Sequence, residues 1–96
     1  MKNGIELIAN ERKRQIESEG YNLRRDKMNW GQGQLAMAAA SYVTPAFQRM
    51  TIGDRKSPYC FPFRDEFWKP TPENRIRELV KAGALILAEI DRLQNL

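Results

Sequence analysis

The chain has no histidine and a single cysteine, Cys60. The first absence removes the commonest general base and metal ligand, and with them Ser-His or Cys-His catalysis and ordinary zinc sites. The second excludes an intrachain disulfide, so the fold must stand on packing or on self-association. Long apolar runs are missing too. The richest, Ala82 to Ala88, falls far short of the roughly 20 residues that cross a bilayer. The opening MKNGIELIANERKRQIE alternates charged with apolar groups and holds no secretory apolar region, so a cytoplasmic protein with no membrane partner is expected. Sixteen cations against twelve anions leave a net +4. That balance favours anionic partners without marking a nucleic-acid tail, and no polymeric nucleic acid is expected.

What is present suits one domain over residues 1–96, with a core near the lower limit for independent folding. The expected fold is mainly α: a small bundle of about three helices, with a long aromatic, proline-rich loop before the last. The first helix is predicted over Ile5–Glu19, capped by Asn3 with Glu6 reaching back, and stopped at Gly20. Its apolar stripe is Ile5, Ile8, Ala9 and Ile16, and the spacing puts Arg12 on that face. The second helix, QLAMAAASYV, ends before Pro45, and its alanines allow close approach. The third is predicted to start at Thr71 as N-cap with Pro72 and Glu73 in its first turn. Ile76, Leu79, Val80, Gly83, Ile86, Leu87, Ile90 and Leu93 then form one apolar stripe. Gly83, inside that stripe, is expected to pack against the alanine-rich helix.

The segment SPYCFPFRDEFWKPTP, residues 57–72, holds five of the nine aromatic residues and four of the five prolines, with no helical or strand period. One reading makes Tyr59, Phe61, Phe63, Phe67 and Trp68 a lid over a core that three helices cannot close. The other makes one or two of the rings a stacking wall, for which Trp68 beside Lys69 is the best candidate. Arg12, on an apolar stripe, needs a partner, either a carboxylate such as Asp26 or Glu89 or an anion in a cleft. Arg24 and Arg25 lie between Tyr21 and Trp30, and basic groups interleaved with rings are what nucleotide recognition requires. The acids are dispersed. Glu73/Arg77, Glu78/Lys81 and Glu89/Arg92 have the spacing of a solvated face, and Glu11 and Glu17 are embedded among cations. GQG at 31–33 lacks the lysine of a phosphate loop. No catalytic residue, metal ligand or cofactor is expected.

ERKRQIESEGY at 11–21, GQLAMAAASYV at 33–43, FWKP, and RIRELVKAGALILAEIDRL at 75–93 resemble a family of small phage and prophage proteins. That family shows an ER-x-RQI-x-x-EGW block, a His-Asp-Asp segment, a GEL-x-x-AA-x-x-Y block and a WWKP…LVKAGALI-AEI-R ending. The resemblance implies a mobile-element setting and no reaction. This chain has Arg25, Asp26, Lys27 in place of His-Asp-Asp and Gly33, Gln34, Leu35 in place of GEL. Two fainter likenesses are to MazG-like all-α nucleotide pyrophosphatases, whose E-x-x-E and E-x-x-D helices this chain lacks, and to the ryanodine-receptor repeat domain.

These readings converge on a phage-type protein that binds a small anionic, nucleotide-like ligand without turnover. The resemblance implies sequestration of a host immune signal, a cyclic nucleotide or an ADP-ribose derivative, as an anti-defence step. Arg12, Tyr21, Arg24, Arg25, Trp68 and Lys69 are the expected ligand contacts. A homo-oligomer is expected, because the apolar surface of the last helix exceeds what so small a core can cover. The alternatives are a degenerate MazG-like pyrophosphohydrolase and a protein-binding inhibitor of a host factor.

Overall fold

The Asn3 side chain accepts a hydrogen bond from the Glu6 amide at 3.0 Å, satisfying one of the amide donors that a helix leaves orphaned at its start. Helix α1, Gly4–Glu19, follows from it. The computed structural model describes residues 1–19 and 33–95. Helix α2, Gln34–Val43, starts behind Gly33, whose φ of 81° suits a residue without a Cβ. Helix α3, Arg75–Gln94, is the longest. Among the described residues there are three helices, two short 3₁₀ turns at Ala46–Gln48 and Asp65–Phe67, and no strand. The expectation of a mainly α bundle of about three helices therefore holds.

α3 begins later than the sequence suggests. Its cap is Asn74, whose side chain accepts from the Arg77 amide at 3.2 Å. Thr71, Pro72 and Glu73 instead form a turn closed by the Asn74 amide on the Thr71 carbonyl at 2.8 Å. The Thr71 hydroxyl donates to the Asn74 carbonyl at 3.4 Å rather than accepting a helix amide, and the Thr71 amide donates to the Glu78 carboxylate at 3.0 Å.

α3 is the middle of the helical layer. It packs on α1 along one flank and on α2 along the other, and α1 and α2 do not pack on each other. The buried core is Leu35, Ala38, Ala39 and Tyr42 of α2, Ala82, Leu85 and Ala88 of α3, and Phe61 from the loop. The alanines keep α2 and α3 close, as expected. Gly83 serves the other flank: a Cβ there would lie 2.6 Å from Cδ1 of Ile8 on α1. The close approach it permits is to α1, not to the alanine-rich helix.

The predicted core faces of α1 and α3 differ from the observed ones. On α1 the buried residues are Glu11, Arg12 and Gln15, while Ile5, Ala9 and Ile16 are exposed. On α3 the buried set is Glu78, Val80, Ala82, Ala84, Leu85, Ala88 and Arg92. Ile76, Leu79, Ile86, Leu87, Ile90 and Leu93 stay exposed. Alanines and polar side chains thus supply much of the intrachain contact beside Leu35, Tyr42, Phe61, Val80 and Leu85, and most of the apolar stripe of α3 looks outward.

Residues 44–74 cover the opposite side of the layer without regular structure, because side chains take over the backbone's hydrogen bonding. Asp65 accepts from the Ser57 hydroxyl at 2.6 Å and from the Lys56 and Ser57 amides at 2.9 and 3.3 Å. The Ser57 hydroxyl and Lys56 amide hold its carboxyl down to a pKa of about 2. Arg55 donates to the Ser57 hydroxyl and to the Phe61 and Phe63 carbonyls. Phe61 is buried, with Phe63 and Trp68 packed against the core, so the lid reading holds for these rings. Tyr59 and Phe67 are exposed.

Candidate functional site

A cleft of about 210 Å³ opens between α1 and α2, above α3 and beneath the loop. Arg77, Lys81 and Leu85, one row at i, i+4 and i+8 of α3, form its floor. Glu11, Arg14 and Gln15 of α1 make one wall, and Ala38 and Tyr42 of α2 the other. The loop contributes Phe61, Phe63, Phe67 and Lys69. Rings and cations therefore meet in one place, although the sequence holds them up to seventy residues apart.

The electrostatics centre on Glu11. Arg14 grips its carboxylate with two donors at 2.9 and 2.7 Å, and Arg77 reaches it from α3 at 2.6 Å. Gln15 Nε2 donates to the same carboxylate at 3.1 Å. Burial pushes the Glu11 pKa upward, but the hydrogen bonds from Arg14 and Arg77 outweigh it and hold the group at about 2. Glu11 is therefore an anion under all ordinary conditions. The Gln15 Oε1 atom, on a side chain that is almost wholly buried, has no hydrogen-bond partner among the described residues. Lys81 donates to the Lys69 carbonyl at 2.8 Å and lies over the Tyr42 ring at 5.5 Å. The same Glu11, Arg14 and Arg77 also border a shallower hollow on the far side, with Leu7, Ile76 and Val80.

A second buried carboxylate, Glu78, builds the wall rather than the site. It pairs with Arg49 at 3.0 Å and with Arg75 at 3.1 Å, and it is fully buried. Burial raises its pKa and the Arg49 and Arg75 hydrogen bonds lower it; the hydrogen bonds win. The two arginines also cap α2. Arg49 donates to the Ser41 and Tyr42 carbonyls, and Arg75 to those of Tyr42 and Val43. These are the orphan carbonyls of a helix C-terminus, where positive charge is favoured. The Tyr42 hydroxyl accepts the Lys69 amide at 3.1 Å, fixing the loop where it enters the cleft.

Of the six sequence-predicted contacts, Lys69 lines the cleft. Trp68 stands behind it. Its ring lies 4.7 Å from Tyr42 and 5.2 Å from Phe61, with the Arg49 guanidinium 5.1 Å from its centroid. Arg12 lies on the other flank of α1 from the cleft, 3.6 Å from Asp91. Of the two expected acids, Glu89 is taken by Arg92 at 2.7 Å, and Asp26 lies outside the described residues. Tyr21, Arg24, Arg25 and Asp26 lie outside the described residues. The sequence reading missed Glu11, Arg14, Gln15, Arg77 and Lys81. Local spacing assigned Glu78 and Glu89 to solvated pairs, yet both are largely buried. Arg14 and Arg75 are i,i+3 neighbours of Glu11 and Glu78, but the second arginine of each, Arg77 and Arg49, comes from a remote element to which no local pattern points.

Among the described residues no three His, Cys, Asp or Glu side chains converge as a metal-holding group. No described helix is long and apolar enough to cross a membrane. No family model, curated protein or solved structure matches this chain.

Proposed function

We propose that the chain binds a small anionic ligand with a planar ring, of the nucleotide class, in the cleft between α1 and α2, and that it does so without turnover. The observation that carries this reading is the composition of the cleft. Four cations, Arg14, Lys69, Arg77 and Lys81, face one carboxylate among Tyr42, Phe61, Phe63 and Phe67. The surplus of positive charge suits phosphate. The exposed Phe67 ring at the mouth suits stacking of a base, a contact of roughly 1–3 kcal/mol. Glu11 and the unpartnered Gln15 Oε1 are acceptors, and they call for a ligand that also carries hydrogen-bond donors, such as an exocyclic amine or ribose hydroxyls. An anion with donors and a ring is a nucleotide's chemistry.

Glu11 is clamped by two arginines, which leaves it a poor proton acceptor near neutral pH and a poor general base. That supports binding over hydrolysis. On the resemblance to phage proteins, the ligand is a host signal such as a cyclic nucleotide or ADP-ribose derivative, and the protein acts by withholding it from its receptor. The test is incubation of the purified chain with a pool of nucleotides and cyclic nucleotides, with and without magnesium. Bound and free fractions are read by mass spectrometry after heat release. Depletion and intact return of one compound is expected. Conversion to a new mass would replace the binder by an enzyme.

A further inference from the structure

The apolar stripes that the intrachain core leaves uncovered form one continuous face, and their pattern identifies its partner. Along α3, Ile76, Leu79, Gly83, Ile86, Ile90 and Leu93 recur at steps of three and four residues in strict alternation. That is the a/d pattern of a helix–helix seam, kept for nearly three heptads with no charged residue among its six positions. Ile76 is 66% exposed and Leu93 52%. α1 borders this seam. Ile8 sits over Gly83 and Arg12 meets Asp91, so the Arg12 side of α1 is the side nearest the stripe. Ile5 and Ile16, one or two turns from Arg12 on the same side, extend the apolar surface, and both are exposed. The cleft belongs to the opposite row, Arg77, Lys81 and Leu85.

We propose that this face is the interface of a two-fold dimer, with α3 of one copy lying against α3 of a second copy. The layer logic of small domains supports it. A helical layer buries both faces, and here the loop covers one, while the α3 stripe on the other is exposed. The molecule is a slab of 36 × 35 × 20 Å, and its broad face matches the roughly 800 Å² per partner of a standard interface. Self-pairing is favoured over a foreign partner by the seam itself. Its alternating steps read the same in both directions, so an inverted copy sets Ile76 against Leu93, Leu79 against Ile90, and Ile86 against the Ile8 side chain that covers Gly83. A charged partner would find nothing on the seam to pair with. The cleft stays open on the outer side of each copy, so the dimer stands independently of what the cleft binds.

The experiment is the mass of the full chain in solution by light scattering and sedimentation across a micromolar concentration series. A particle of twice 11.2 kDa is expected. Ile86→Glu is expected to keep the helical circular dichroism and weaken association by roughly 100-fold, as desolvated like charges meet near the two-fold axis. Should Ile86→Glu fail to fold, a Cys60→Ser, Ile86→Cys chain supplies the readout. It is expected to form a disulfide-linked dimer under mild oxidation, while Phe67→Cys on the cleft side does not. A monomer at every concentration would overturn the proposal. A dimer that ignores Ile86→Glu, or that cross-links through Phe67→Cys, would overturn it equally.

Discussion

Two carboxylates, Glu11 and Glu78, are buried in this small molecule, each held between two arginines, and they do different work. Glu78 lies fully enclosed beneath the turn at Thr71, and its arginines spend their remaining donors on the last carbonyls of α2. That cluster ties three elements together: α2, the loop and α3. Glu11 is as deeply placed, but its arginines reach it from the cleft, where they are 41% and 34% exposed. It has Gln15 with a spare acceptor beside it, and Lys69 and Lys81 across the gap. The same chemical motif is a staple in one place and the rim of a site in the other. The difference lies in Arg49, which is 8% exposed and closed to solvent, whereas both arginines on Glu11 are open to it.

The sharpest way to break the comparison is to remove each carboxylate in turn. Glu78→Gln leaves Arg49 and Arg75 without their charge partner, with Arg49 almost wholly buried. A loss of about 3–5 kcal/mol in urea unfolding is expected, enough to unfold a domain of this size at moderate temperature. Glu11→Gln is expected to cost less, about 1–3 kcal/mol, because Arg14 and Arg77 can turn to water. Its effect on ligand binding is expected to exceed its effect on stability. Equal losses from the two substitutions would show that both clusters are staples.

Acid sharpens the same comparison. Glu11 and Asp65 titrate near 2 in the folded chain, below their ordinary values of 4.5 and 3.8, and Glu78 is lowered as well. Groups with depressed folded pKa values contribute fully above their unfolded values and lose that contribution as protons bind. Urea midpoints are therefore expected to be flat from neutral pH to about 5 and to fall between roughly 4.5 and 2. Glu78→Gln is expected to flatten that acid limb. A midpoint that rose on acidification would contradict the pairing. The smallest effect belongs to Asp65→Asn, which weakens the loop's own hub without touching the helices. Faster proteolysis near Tyr59 and Phe67 with unchanged helical circular dichroism is the expected signature, read by limited digestion.

The helices were legible in the sequence to within a few residues, because caps and terminators are local: Asn3 caps α1, and α2 stops before Pro45. The ordering of the aromatic loop was legible as well, from its rings and prolines. Facing was not. The apolar stripes of α1 and α3 were read as core and are exposed, while the true contacts are alanines and the polar set Glu11, Gln15, Glu78 and Arg92. Apolar periodicity marks a surface that avoids water, and it does not say whether the same chain or another copy covers it. The site stayed hidden for a related reason. Arg77 meets Glu11 across 66 residues, and Glu78 finds Arg49 in the loop rather than Lys81 one turn away. Of the expected contacts Lys69 lines the cleft, whose rings are Tyr42, Phe61, Phe63 and Phe67, while Trp68 packs behind it.

The measurement that bears most directly on the central claim is equilibrium dialysis of a nucleotide pool against the wild-type chain and a Lys69→Glu, Lys81→Glu variant. Both lysines lie at the cleft, and helical circular dichroism of the variant matching the wild type establishes that the fold survives their reversal. The account predicts that the wild-type chain retains one anionic compound intact and that the variant retains none of it. Equal retention by the two proteins, or retention of nothing by the wild type, would contradict the cleft as a nucleotide site.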